Sequence, residues 1–268
     1  MPDNSADWMQ KILANRKYRR LNVREETLQD LMRQVQQEGV PPRQVEKAVR
    51  EKLHHIVAPY LETVDYAVES EMLESIPAGN EQALREFAAK MLRSHTSTAE
   101  RMPVMETLYA FVSEQLPQKD ALTILDLACA ANPFALPWMH LPVGTRFLAY
   151  DLNGARVDLL NRFFQKYDLN AQAFHQDILV DVPQEPADAA LFFKEAHRFE
   201  QRQKGSTRIF LEQLQIPLVF LSLPARSITG RHDLRDKHTK LVMQAMDGTG
   251  WQLQIKEFGE EILYCIRK

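Results

Sequence analysis

The 268 residues predict an α/β fold: a mostly parallel sheet ending in an antiparallel hairpin, preceded by an all-helical N-terminal segment. Three observations predict it. Residues 1–93 carry apolar positions at helical spacing and show no strand pattern. From residue 94 onward, short apolar runs alternate with helical stretches, which indicates a parallel sheet covered on both faces. Near the C-terminus two further strands are separated only by residues 257–261 around Gly259, hence a hairpin and an antiparallel edge.

In the helical segment, Trp8, Met9, Ile12, Leu13 and Tyr18 mark a first helix over 6–20. Asn22 is placed to cap a second, with Leu28, Leu31, Met32 and Val35, which stops at Gly39 before Pro41 and Pro42. The third opens at that proline pair and aligns Val45, Val49, Leu53 and Ile56 on one face. Two more are expected over 62–75 and 79–92, parted by Pro77-Ala78-Gly79. The expected division is therefore a helical domain, 1–93, and a sheet domain, 94–268. After a helix over 102–116, strands are expected at 123–127, 146–150, 171–174, 189–193 and 218–223, then at 251–256 and 262–266. Five parallel strands followed by a hairpin match the architecture of class I, Rossmann-like methyltransferases, an analogy of fold that does not itself assign function.

Composition narrows the classes. The apolar share is 45% and mean hydropathy is -0.36, with no run approaching the roughly 18 apolar residues of a membrane span. Residues 1–10 are polar and acidic, unlike a signal peptide. Cys129 and Cys265 are the two cysteines, too few for a disulfide framework or a metal cluster, so a cytoplasmic protein without metal is expected. Net charge is -3, but its distribution is uneven. Residues 1–60 hold 11 Lys/Arg against 8 Asp/Glu, 61–120 hold 5 against 11, and 194–240 hold 10 against 5.

The first parallel strand runs into Asp126-Leu127-Ala128-Cys129-Ala130-Ala131-Asn132-Pro133. In doubly wound folds ligands bind at the carboxyl ends of strands, and small residues there let backbone approach them. The plainer reading is a tight strand-to-helix turn. Asp151 ends the second strand at a spacing suited to accept from the two ribose hydroxyls of an adenosine moiety. Asp177, ending the third, can accept from the adenine amino group while Ile178 packs on the ring. Phe193-Lys194 ends the fourth, beside the reacting centre. A nicotinamide dinucleotide would want G-x-G-x-x-G against its pyrophosphate; this loop has no glycine, and S-adenosylmethionine, which has no phosphate, tolerates that better.

Two more clusters stand out. In Ser94-His95-Thr96-Ser97-Thr98-Ala99-Glu100-Arg101, Ser97 or Thr98 fits a helix N-cap, and Arg101 fits either a bidentate clamp on a carboxylate or an exposed ion pair. After the fifth strand, Ser222-Leu223-Pro224-Ala225-Arg226-Ser227-Ile228-Thr229-Gly230-Arg231 sits at the catalytic rim. It can grip phosphates and a guanine edge, or be a solvated basic loop.

Together the three clusters resemble the aminoglycoside-resistance methyltransferases that modify N7 of guanine 1405 in 16S ribosomal RNA. That family's pattern runs from His-x-Ser-Thr-x-Glu-Arg through Asp-x-Ala-Cys-Gly-x-Asn-Pro-x-Ala-Leu to Ser-Phe-Pro-x-Arg-Ser-x-x-Gly-Arg, matched here at 95–101, 126–136 and 222–231. The resemblance extends over most of the chain, including the ending Glu261-Ile262-Leu263-Tyr264. It implies S-adenosyl-L-methionine as cofactor. The implied cofactor residues are His95, Ser97, Arg101, Asp126, Ala128, Ala130, Asn132, Pro133, Asp151, Leu152, Asp177, Ile178, Phe193 and Lys194. It implies a target-base role for Ser222, Pro224, Arg226, Ser227 and Arg231, and docking of a monomer on the 30S subunit by the N-terminal helices through Arg16, Lys17, Arg19, Arg20, Lys47, Arg50 and Lys52. Ala130 and Leu223 replace the family's usual glycine and phenylalanine. If position 130 takes positive φ, alanine there costs free energy. Two other functions remain open at this level: a methyltransferase of another RNA target, such as a neighbouring A-site adenine or transfer RNA, and a non-catalytic RNA-binding relative.

Overall fold

A computed structural model describes residues 5–15, 18, 23–57, 64–227, 230 and 232–268. Helices α1 (Ser5–Ala14), α2 (Glu25–Gln37) and α3 (Val45–Val57) bury the stripes read above. Met9, Ile12, Leu28, Leu31, Val35, Val49 and Leu53 form a core of their own, with Leu152 of the sheet region packed against it. Gly39 ends α2 at φ 74°, where the Val40 N–H reaches back to the Val35 carbonyl, and the turn Pro42–Gln44 leads into α3. Asn22, the expected cap of α2, lies outside the described residues.

Helix α4 (Tyr66–Ser75) is capped by Asp65, and α5 (Glu81–Ser94) by Asn80; each side chain accepts N–H bonds from the first turn. These two helices join a different core. Leu73, Leu84, Phe87, Met91 and Leu92 pack with Phe134, Phe163 and Phe220 against one face of the sheet. Short α6 (Thr96–Arg101) and then α7 (Met105–Gln115) complete the approach to the first strand.

The sheet comprises β1 (Thr123–Leu127), β2 (Arg146–Asp151), β3 (Ala171–His175), β4 (Ala189–Phe193), β5 (Leu218–Pro224), β6 (Gln252–Phe258) and β7 (Glu261–Arg267), ordered β3-β2-β1-β4-β5-β7-β6. The first five are parallel. The hairpin returns so that β7, not β6, pairs with β5 in antiparallel register. Alternate residues feed opposite faces: Ile124 and Phe220 join the core under α5, while Leu125 and Leu221 join the other, beneath α9 (Ala196–Arg202), α10 (Ser206–Gln213) and α11 (Arg235–Met246). Helix α8 (Gly154–Lys166) returns the chain from β2 to β3. The chain leaves β1 for β2 on one side and comes back on the other as β4, so the switch-point crevice opens at the carboxyl ends of these strands. Among the described residues no helix is long and apolar enough to cross a membrane.

Candidate active site

A cavity of about 690 Å³ lies at the strand tips, walled by Ala128, Asp151, Leu152, Asp177, Ile178 and Phe199, with Leu31 and Ile56 of the helical segment opposite. Its volume is that of a small-molecule site, roughly 300–1,000 Å³. The two carboxylates expected to hold adenosine thus face one space, and each is held by an arginine. Asp151 accepts the Ala130 N–H at 2.8 Å, the Asn153 N–H at 2.7 Å and both-oxygen contacts at 3.0 Å from Arg156 Nη1. Arg156 Nε donates in turn to the Tyr66 hydroxyl at 2.9 Å. Asp177 is held by Arg202 Nη1 at 3.0 and 2.8 Å and by the Thr27 hydroxyl at 2.9 Å.

A second, fully buried network adjoins it. Arg101 and Glu261 are each 2% exposed. Arg101 donates to Glu261 through Nε at 3.0 Å and Nη2 at 2.7 Å, and through Nη1 to Asn132 at 2.7 Å; its guanidinium lies 4.5 Å over the Phe193 ring. The exposed-ion-pair reading of Arg101 needs correction: the pair is buried, with the fork closed on Glu261. Asn132 also accepts from the Tyr109 hydroxyl and donates to Asp126 at 2.8 Å. Lys194 bridges Glu100 at 2.8 Å and Glu261 at 3.5 Å. Burial pushes Glu261 up, but the Arg101 and Lys194 charges outweigh it and hold its carboxyl below the ordinary range. Burial raises Asp126 to about 8, and its Oδ1 has no hydrogen-bond partner among the described residues.

Of the expected cofactor residues, Ala128, Asp151, Leu152, Asp177 and Ile178 line the cavity; His95, Ser97, Arg101, Asp126, Ala130, Asn132, Pro133, Phe193 and Lys194 do not. Ala130 instead supplies the backbone N–H that fixes Asp151. It does so at φ 48°, with Ala128 at 52° and Lys194 at 56°, so position 130 requires the left-handed conformation that glycine adopts freely. The N-cap expectation is also corrected. Helix α6 has no side-chain cap bond: Ser97 pairs with His95 Nδ1 at 2.9 Å, and the Thr98 hydroxyl donates to the Leu92 carbonyl at 2.6 Å. Burial, aided by the Arg156 charge, lowers His95 to about 3 and keeps its ring neutral.

The rim divides. Ser222 was expected at the target base, but it is fully buried and donates to Glu261 at 2.5 Å; a hydroxyl inside an apolar strand needs such a partner. Pro224 gives its carbonyl to His238 Nδ1 at 2.7 Å. Arg226 is exposed beside Glu260 at 3.4 Å, and Ser227 closes a turn by accepting the His232 N–H at 3.1 Å. Arg231, with Arg16, Lys17, Arg19 and Arg20, lies outside the described residues. Lys47 and Arg50 are exposed on α3 next to Glu51 and Glu46. Lys52 lies apart from them, on the cavity wall and paired with Glu38 at 2.8 Å, which corrects its placement on an outward docking face.

A parallel sheet closed by this hairpin, with paired acidic strand tips on one cleft, defines a class I methyltransferase. The chain matches the model of the family described as ribosomal RNA methyltransferase (FmrO) over residues 14–266 and belongs to that family. It is 30% identical over 257 residues to a 16S rRNA (guanine(1405)-N(7))-methyltransferase of Micromonospora olivasterospora, covering 94% of this chain and 85% of that one. It is 28% identical to the like-named protein of Serratia marcescens, covering 99% of each. Among solved structures it resembles the 16S rRNA methyltransferase RmtF in complex with S-adenosyl-L-homocysteine, with TM-score 0.76, 25% identity and coverage of 100% and 99%.

Two outcomes follow. Ala130→Gly relieves a left-handed cost of about 1–2 kcal/mol against about 0.4–1 kcal/mol of added unfolded-chain freedom. A net gain between about 0 and about 1.6 kcal/mol is expected in urea denaturation. Asp126→Asn tests the raised carboxyl. A folded pKa above the unfolded one means stability present at low pH is lost as pH rises from about 4 through about 8. The thermal advantage of Asp126→Asn over the parent should grow across that window and level off above it; a flat difference would refute the assignment.

Proposed function

We propose that this enzyme transfers a methyl group from S-adenosylmethionine to N7 of guanine 1405 of 16S ribosomal RNA in the 30S subunit, giving aminoglycoside resistance. The observation that carries the reading is the single cleft faced by Asp151 and Asp177 in a chain that matches the family over nearly its whole length. The cleft suits the cofactor. Leu152, Ile178 and Phe199 offer apolar walls for a purine, and the carboxylates can accept from ribose and adenine.

The cofactor supplies an electrophilic methyl group on sulfonium. The protein's own work is placement and exclusion of water. Guanine N7 carries a lone pair and no proton, so no side chain is required as a general base and none is assigned. In A-form RNA the major groove bearing N7 is too narrow to read, so the base has to be turned out toward the rim. Arg226, exposed at that rim, holds the flipped nucleotide or a flanking phosphate. Residues 1–93 serve as the docking segment on folded RNA, with Lys47 and Arg50 as phosphate contacts and α4 and α5 tying it to the sheet. The protein acts in the cytoplasm as a monomer.

The test is to map N7-methylguanine on 30S subunits after incubation with enzyme and cofactor. Methylation at guanine 1405 is expected, and a different modified base or none would overturn the reading. Arg226→Ala should lower kcat/KM on 30S subunits by about tenfold or more, as loss of an arginine contact to nucleic acid costs about 1–3 kcal/mol. Its affinity for cofactor should be unchanged in calorimetry.

A further inference from the structure

Asp177 belongs to the sheet domain, but two of its neighbours tie it to the N-terminal segment. Thr27 of α2 is fully buried and donates to Asp177 Oδ2 at 2.9 Å. Asp30, one helical turn on, accepts Arg202 Nη2 at 2.8 Å while Arg202 Nη1 serves both oxygens of Asp177. Arg202 is 8% exposed. Burial would lower its pKa, but the Asp177 and Asp30 charges raise it, so it stays a fixed cation between two carboxylates.

The geometry of the fork matters. A guanidinium facing a lone carboxylate prefers two parallel bonds, one from each terminal nitrogen. Here Asp30 draws Nη2 away, so Arg202 meets Asp177 through one nitrogen only. Asp177 is thereby neutralised by one nitrogen that serves both of its oxygens, and each oxygen accepts one further bond. The remaining contacts are the Thr27 hydroxyl and the Leu179 N–H at 3.2 Å, of which the hydroxyl is a neutral, rotatable donor that an amino group can replace.

We propose that Asp30 of α2 is a positioning residue for the cofactor, holding Arg202 so that its Nη1 fixes the direction in which Asp177 meets the amino group of adenine. The proposal rests on the S-adenosylmethionine reading of the cleft. Helix α2 is then part of the cofactor site, not only of a docking module. Removing Asp30's charge frees Arg202 Nη2, so the guanidinium and the Asp177 carboxylate it holds can turn away from that direction.

The experiment measures calorimetric Kd in the full chain for two sulfonium ligands: S-adenosylmethionine and the analogue in which hypoxanthine replaces adenine, which has no 6-amino donor. The parent should prefer the adenine form by about tenfold, the worth of one good hydrogen bond. Asp30→Asn and Arg202→Lys should each cut that preference to about threefold or less, with Asp30→Glu restoring it; general loosening of the helix would weaken both ligands alike and leave the ratio intact. Thermal melts confirm folding, and Arg202→Lys keeps the test alive if Asp30→Asn is unstable. An undiminished preference in both variants overturns the proposal. Asp177→Asn separates the two levels. If it loses the preference while the Asp30 and Arg202 variants keep it, only the positioning role falls. If it binds both ligands like the parent, the cofactor reading of Asp177 falls, and the proposal with it.

Discussion

Arg101 and Glu261 stand 160 residues apart in the chain and meet in a pocket that hides both from water. Two charges buried together recover their lost hydration only if geometry is good and every remaining donor and acceptor is met; removing one partner alone costs about 3–5 kcal/mol. Here the spare capacity is used by Asn132 after β1, Lys194 after β4 and Ser222 on β5. Helix α6, three strand tips and the hairpin are therefore held in one register by this network around Glu261. The order of the hairpin follows the same logic. Only with β7 next to β5 does Glu261 sit opposite Pro224, at the end of the sheet where ligands bind.

Strands β1, β2, β4 and β5 were legible because each is a short, nearly unbroken apolar run, and a strand buried on both faces can be little else. Their tips were legible too: Asp151 and Asp177 end such runs, and the structure brings both to one cleft. What the residues did not disclose was who meets them. Arg156 left a trace, since it shares the buried face of α8 with Leu159, Leu160 and Phe163, where an unpaired cation would be costly. Arg202 and Glu261 left little, because their partners arrive from 25 and 160 residues away. Ser222 was readable in principle. A hydroxyl in the middle of Leu218–Pro224 must find a buried acceptor, and that requirement outweighs its likeness to a rim residue.

Ala130 shows the opposite case, where a departure from the family pattern carried real structural content. The backbone there is left-handed, and its N–H is committed to Asp151. The turn must therefore hold its conformation against the side chain's preference, and the surrounding pairing of Asp151 with Arg156 over-determines it. Strain is tolerated at that point because the carboxylate it serves is itself locked.

The cleft has two walls with different origins. One is made by strand tips; the other by Leu31 and Ile56, which belong to the small core of α1, α2 and α3. Leu152 faces both, lining the cavity and packing on that helical core. An apolar side chain shared in this way links the two energetically, since any ligand that fixes Leu152 also fixes what packs against it. Arg156 and Arg202 extend the link, each joining a carboxylate on the cleft to a residue before position 94, Tyr66 in one case and Asp30 in the other. A helical segment whose only task was to grip RNA would have no need to complete the coordination of two carboxylates on the far side of its interface. The cleft is built at the junction, so whatever moves the N-terminal helices is felt at the carboxylates that line it.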